Sequence, residues 1–126
     1  MVNGEMILGI GTDIIEVDRI QKAIERWGSG FLNHVFTGEE IQYAQKHKSP
    51  AQHFAARFAA KEAVYKAIGN KPDLGWKDLQ ILNDSQGKPY CVVRNKKFRN
   101  KILISMSHTQ NYAVASAIVT SQSRRS

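Results

Sequence analysis

Asp13, Glu62, Lys66, Cys91 and His108 are the side chains in this sequence whose chemistry exceeds packing. The stretch ARFAAKEAVYKAIG, residues 56–69, has a helical period whose inner face carries Phe58, Tyr65 and Ile68, with Phe54 one turn earlier. Glu62 falls on the same i, i+4 line and Lys66 follows four residues on. The plainest reading of the two is a helical ion pair at the edge of the core. The other is that a carboxylate shares the buried side because something there needs it. Asp13 ends a strand-like run in which Gly9 and Gly11 lie on its own face, leaving a trough where a backbone or a ligand can approach closely. A carboxylate in that place is either a helix cap or a ligand. His108 closes ISMSH on the face of Ile102, Ile104 and Met106, which directs it inward just before a turn. A satisfied structural histidine and a working one both fit there. Cys91, between Tyr90 and Val92, reads as a small core filler rather than a nucleophile.

The elements that must position these groups follow from period and punctuation. MILGIGTD (6–13) alternates as a strand, with Met6, Leu8, Ile10 and Thr12 on one side and Ile7, Gly9, Gly11 and Asp13 on the other. From Glu16 the period changes, and Val17, Ile20, Ile24 and Trp27 form an apolar helical stripe closed by Gly28. Thr37 and Glu40 make a capping box, so a second helix is expected to run to about His47. Ser49 as N-cap and Pro50 at the first helical position open the long helix, which Gly69 ends. LQILN and YCVV flank the turn DSQGK, and KILISMSH and YAVASAIV flank TQN, giving two hairpins. One strand, then helices, then a meander of strands is an α+β order.

Length and composition bound the rest. A chain of 126 residues with 42% apolar, 9% aromatic and 23% charged residues is one soluble domain with one modest core. The expected division is a domain over 1–120 and a polar tail over 121–126. No apolar run reaches the roughly 20 residues of a membrane span, and no signal-peptide pattern opens the chain. A single cysteine excludes an internal disulfide and fits a reducing cytosol. The formal charge of +7 and pI near 9.7 call for an acidic partner without choosing one, and Arg124 and Arg125 in the tail TSQSRRS supply part of the excess.

Taken in order, GIGTDIIEVDRI, FTGEEIQYAQ, RFAAKEAVYKAIG, GKPY and ISMSHTQNYAVASAIV resemble the holo-[acyl-carrier-protein] synthases, the small single-domain 4′-phosphopantetheinyl transferases. The resemblance runs from Met6 to Val119, and its specific core is G-x-D followed much later by K-E-A-x-x-K-A. It implies transfer of the phosphopantetheine arm of coenzyme A to a serine of an apo-acyl carrier protein in fatty acid biosynthesis, leaving adenosine 3′,5′-bisphosphate. It further implies a cytoplasmic homotrimer with sites between protomers, and a catalytic set of Asp13, Glu62 and Lys66. Asp13 and Glu62 correspond to ligands for Mg²⁺ (Mn²⁺ being the alternative), a hard cation that takes one or two carboxylates and completes its shell with phosphate and water. Lys66 would meet a phosphate oxygen as a point charge. Coenzyme A contacts implied by position are Arg57, Lys66, Gly69, Lys88, Pro89 and His108, with Gly87 in the same loop. Whether His108 or another group takes the serine proton stays open.

The carrier in such a reaction is an acidic helical protein, and the resemblance docks it on the first helix. There Arg19, Lys22 and Arg26 recur at i, i+3 and i+7, largely opposite the apolar line. Arg19 sits in the family motif EVDRI, whereas Lys22 and Arg26 follow by helical geometry alone. A small basic nucleic-acid-binding protein is the competing class. Against it, the basic residues are not interleaved with aromatics on one strand face, and no RNA- or DNA-binding fingerprint is present.

Overall fold

Alternating small and apolar residues in the first strand and an alanine-rich helix dictate a close strand–helix layer, and the rest is built around it. The computed structural model describes residues 4–69 and 73–122, so Arg124 and Arg125 of the tail lie outside the described residues. Strand β1 (Ile7–Glu16) passes directly into helix α1 (Val17–Trp27), followed by α2 (Ser29–Val35), α3 (Gly38–Gln45) and α4 (Pro50–Ile68). A short 3-10 turn at Trp76–Asp78 leads into β2 (Leu79–Asn83), β3 (Pro89–Val93), β4 (Lys101–His108) and β5 (Tyr112–Thr120). The α+β class and both C-terminal hairpins are as expected.

The strands do not form one continuous meander. β1 joins the second hairpin to give the antiparallel order β1-β5-β4, while β2 and β3 pair as a sheet of their own. Pairing of Asp13 with Ala115, and of Ala115 with Met106, fixes the register of the larger sheet. One face of that sheet meets α4, whose Ala55, Ala56, Ala59, Ala60, Ala63 and Ala67 are all buried. A Cβ on Gly11 would lie 2.0 Å from the carbonyl oxygen of Ala63, and one on Gly9 would lie 1.8 Å from that of Ala67. The trough beside Asp13 is therefore filled by helix backbone, which settles one of the two readings the sequence left open. On the far side of α4, Phe54 packs its ring 5.0 Å from Phe36, and Val64, Leu79 and Ile81 are fully enclosed. Each such aromatic pair adds about 1 kcal/mol beyond its burial.

Several local expectations need correction. SGFLNHV forms α2, a helix that the Gly28-Ser29-Gly30 sequence disguises as a connector; Gly28, at φ 54°, turns the chain between the two helices. Ser49 occupies the N-cap of α4, but its side chain makes no capping hydrogen bond. Trp27 leaves the buried stripe of α1: it is 58% exposed, with the Arg26 guanidinium 4.9 Å from its ring centre. The Thr37–Glu40 capping box is present as expected.

Candidate active site

The close β1–α4 contact carries three of the chemistry-bearing groups to one place. Asp13 sits two residues beyond Gly11 on the inner face of β1, and Glu62 and Lys66 leave α4 one turn apart. Lys66 Nζ donates to the Thr12 carbonyl at 2.9 Å and to Asp13 Oδ1 at 3.2 Å. The i, i+4 pair with Glu62 is not formed; among the described residues Glu62 makes no ion pair. Glu62 is half-buried beside Phe58 and Tyr65, which pack on Trp76 at 5.1 and 5.4 Å. Burial first, and then the negative charge of Asp13, hold its carboxyl above the usual range, while Lys66 opposes the shift. Two neighbouring carboxylates, one short of partners, form an electron-rich corner suited to a hard cation. Among the described residues no group of three or more His, Cys, Asp or Glu is arranged to hold a metal, so an ion there would draw its remaining ligands from substrate and water.

A second group lies elsewhere on α4. Arg57 precedes Glu62 by five residues, about 140° around the helix, so the two leave different sides. Arg57 is only 2% exposed; its guanidinium donates to Asn83 Oδ1 and lies 4.1 Å from the centre of the Tyr43 ring. Its Nε is buried without a partner at the inner wall of a groove of about 560 Å³, where Lys46, Asn83 and Gly87 also line the surface. Lys88 and Pro89 contribute to a neighbouring groove with Tyr90 and Leu103. His108 is on the helix-facing side of β4 but exposed, its ring 5.1 Å from that of His53. Gly69 caps α4, its N–H donating to the Tyr65 carbonyl. Within the chain, then, the structure joins Asp13, Glu62 and Lys66, and leaves Arg57, Lys88, Pro89 and His108 apart from them.

Sequence reasoning passed over a buried ion pair between these regions. Lys61 Nζ donates to Glu40 Oε1 at 2.8 Å, to the Val35 carbonyl at 2.7 Å and to the Trp76 carbonyl at 3.0 Å. Glu40 also accepts from the backbone N–H groups of Thr37 and Ile81. The capping box advertised Glu40, but its bond to β2 spans 41 residues and has no local signal. Cys91 behaves as the filler it resembled, burial pushing its thiol up to about 12.

On α1, Arg19, Lys22 and Arg26 are exposed together. Lys22 pairs with Asp18 at 2.9 Å, and Arg26 rests on Trp27, so the stripe is less open than its spacing suggests.

The sequence and the fold agree with those of known proteins. Residues 9–117 match the model of the 4′-phosphopantetheinyl transferase superfamily. A holo-[acyl-carrier-protein] synthase of Protochlamydia amoebophila is 49% identical over 122 residues, covering 92% of this chain and 100% of the relative. One from Thermodesulfovibrio yellowstonii is 48% identical, with 91% and 100% covered. Among solved structures, the Bacillus anthracis holo-(acyl-carrier-protein) synthase in complex with CoA (3′,5′-ADP) superposes with a TM-score of 0.82 at 34% identity, covering 93% of this chain and 99% of that one. The Helicobacter pylori enzyme in complex with coenzyme A gives 0.78 at 30% identity, covering 87% and 98%. The chain belongs to the 4′-phosphopantetheinyl transferase superfamily, among its holo-[acyl-carrier-protein] synthases.

Proposed function

We propose that this enzyme transfers the 4′-phosphopantetheine group of coenzyme A to a serine of an apo-acyl carrier protein. The serine oxygen forms a new bond to the β-phosphorus of coenzyme A, the bond from that phosphorus to the bridging oxygen breaks, and adenosine 3′,5′-bisphosphate departs. The bridging oxygen leaves with the electron pair on the bisphosphate, and the serine proton is released to solvent. Such a transfer is mostly positioning and charge neutralisation. Supporting the reading most directly is the corner in which Asp13 and a partnerless Glu62 flank Lys66.

Asp13 and Glu62 are the residues to hold a Mg²⁺ ion, or Mn²⁺ in its place, which when bound neutralises the oxygens of a diphosphate. A cation there would offset the burial and the Asp13 repulsion that together hold the Glu62 carboxyl above its usual range, which favours that role. Lys66 spends two of its three N–H groups on Thr12 and Asp13, leaving the third for a phosphate oxygen. Arg57 offers a charged donor to the nucleotide end, with Gly69, Lys88, Pro89 and His108 as further coenzyme A contacts. Arg19, foremost in its stripe with Lys22 and Arg26, meets the acidic carrier.

The working unit is a homotrimer, in which a neighbour completes each site. The split of the candidate residues into two groups favours it. So does the sheet face turned away from α4, where Ile10 is 72%, Ile14 63% and Leu103 51% exposed, an apolar group of the kind an interface covers. No helix among the described residues is long and apolar enough to cross a membrane.

Incubating an apo-carrier with this protein, coenzyme A and Mg²⁺ should raise the carrier's mass by one phosphopantetheine. Binding of nucleic acid without any such gain would overturn the assignment in favour of the nucleic-acid-binding class. Sedimentation of a fully active monomer would remove the trimer.

A further inference from the structure

Three histidines meet where α3 ends, α4 begins and β4 stops. The rings of His47 and His53 stack at 3.8 Å and 30°, and His53 meets the exposed His108 edge-on at 5.1 Å and 69°. Tyr43 closes the set, its ring 4.6 Å from His47 and 5.8 Å from His53, and carries the Arg57 guanidinium on its face at 4.1 Å. His47 is pinned in turn by a 2.8 Å hydrogen bond between Nδ1 and the Tyr43 carbonyl. A continuous run of ring contacts thus joins Arg57 to His108, with His53 at the centre touching all three other rings. We infer that His53 is a positioning residue, which fixes the His108 imidazole at the edge of the coenzyme A cleft by bracing it against α3.

The inference rests on the proposed role of His108 as a coenzyme A contact. A histidine at a strand end, exposed and without a hydrogen-bond partner of its own among the described residues, has free χ rotation unless a neighbour restricts it. Here the neighbour is His53, since the other side chains on that face of β4, Met106 and Ile104, precede it along the strand. The charge state suits a brace. Burial, with His47, His108 and Arg57 adding to it, pushes His53 down to about 4, so at neutral pH it is an uncharged ring that does not repel His108. The groups facing it are Tyr43 from α3, His47 just past the end of that helix, Arg57 from α4 and His108 from β4. None is a carboxylate that would recharge it.

A double-mutant cycle on the full chain, with KM for coenzyme A and kcat measured at pH 7.5, separates this role from simple packing. His53→Ala should raise KM for coenzyme A about fivefold with kcat within about twofold, and should change KM by less than about 1.5-fold when introduced into His108→Ala. His53→Phe, which keeps the ring, should restore KM in the wild-type background. Thermal melts of every variant show whether each is folded at the assay temperature. Equal effects of His53→Ala in both backgrounds, or failure of Phe to rescue, would overturn the inference. So would a silent His53→Ala beside a damaging His108→Ala, which leaves the cleft assignment standing. If His108→Ala is itself silent, the cleft assignment fails and carries the inference with it.

Discussion

Helix α4 carries two lysines five residues apart, each beside a carboxylate, and they have opposite fates. Lys61 and Glu40 have no exposed side-chain surface; the lysine donates three hydrogen bonds and the carboxylate accepts three. Lys66 keeps 56% of its side chain in solvent, Asp13 keeps 16%, and Glu62 stands beside them without an ion-pair partner. The first cluster is closed: every donor and acceptor is spent on the chain, stitching α2, α3, α4 and β2 together. In the second, capacity is left over. The same residue types mark structure where they are satisfied and a site where they are not.

The sharpest way to break this contrast is to remove the open carboxylates. Asp13→Ala or Glu62→Ala should cost about three powers of ten or more in turnover, as loss of an electrostatic clamp does, while melting within a few degrees of the parent. Near-normal turnover of the Glu62 variant at limiting Mg²⁺ would erase the distinction between the clusters. Lys61→Met should do the reverse. Leaving Glu40 charged and enclosed costs about 3–5 kcal/mol, read as a fall in denaturant midpoint, with activity per folded molecule retained.

Smaller effects sharpen the picture at the surface. Arg19→Glu should raise KM for the apo-carrier about tenfold and that for coenzyme A by less than twofold, and the parent's carrier KM should rise as salt passes a few tenths molar. Equal changes in both constants would return the α1 stripe to an ordinary solvated face. His53 gives the mildest effect. Its folded value, about 4, lies below the 6.5 of a free imidazole, so the unfolded chain gains a proton that the folded one refuses as pH falls between them. Stability should therefore decline from pH 6.5 toward 4, and the melting temperature of His53→Phe should decline less over that interval.

Legibility followed the range of the interactions. Strand β1, the stripe of α1, the Thr37–Glu40 box and the limits of α4 are written in residues a few positions apart, and period or punctuation betrays them. Asp13 and Glu62 stood out because each sits where local pattern asks for something else. Helix α2 was hidden, since glycines at 28 and 30 speak locally for a break while burial of Leu32 and Val35 decides for helix. The pairing of β1 with β5 and the bond between Arg57 and Asn83 join residues too distant for any pattern to couple. The histidine run is the extreme case, because His108 meets His53 only through the packing of β4 on α4.

Gly9 and Gly11 have a mechanical consequence. At these two positions β1 puts no side chain between itself and α4, and its backbone meets the carbonyls of Ala67 and Ala63 directly, so the gap across which Asp13 faces Glu62 behaves as a rigid gauge. Heat, pressure and substitutions elsewhere in the core have little to act on there. One methyl group at Gly11 would instead act as a shim, lifting the helix at Ala63 and carrying Glu62 with it, so cation affinity would report the thickness of that joint.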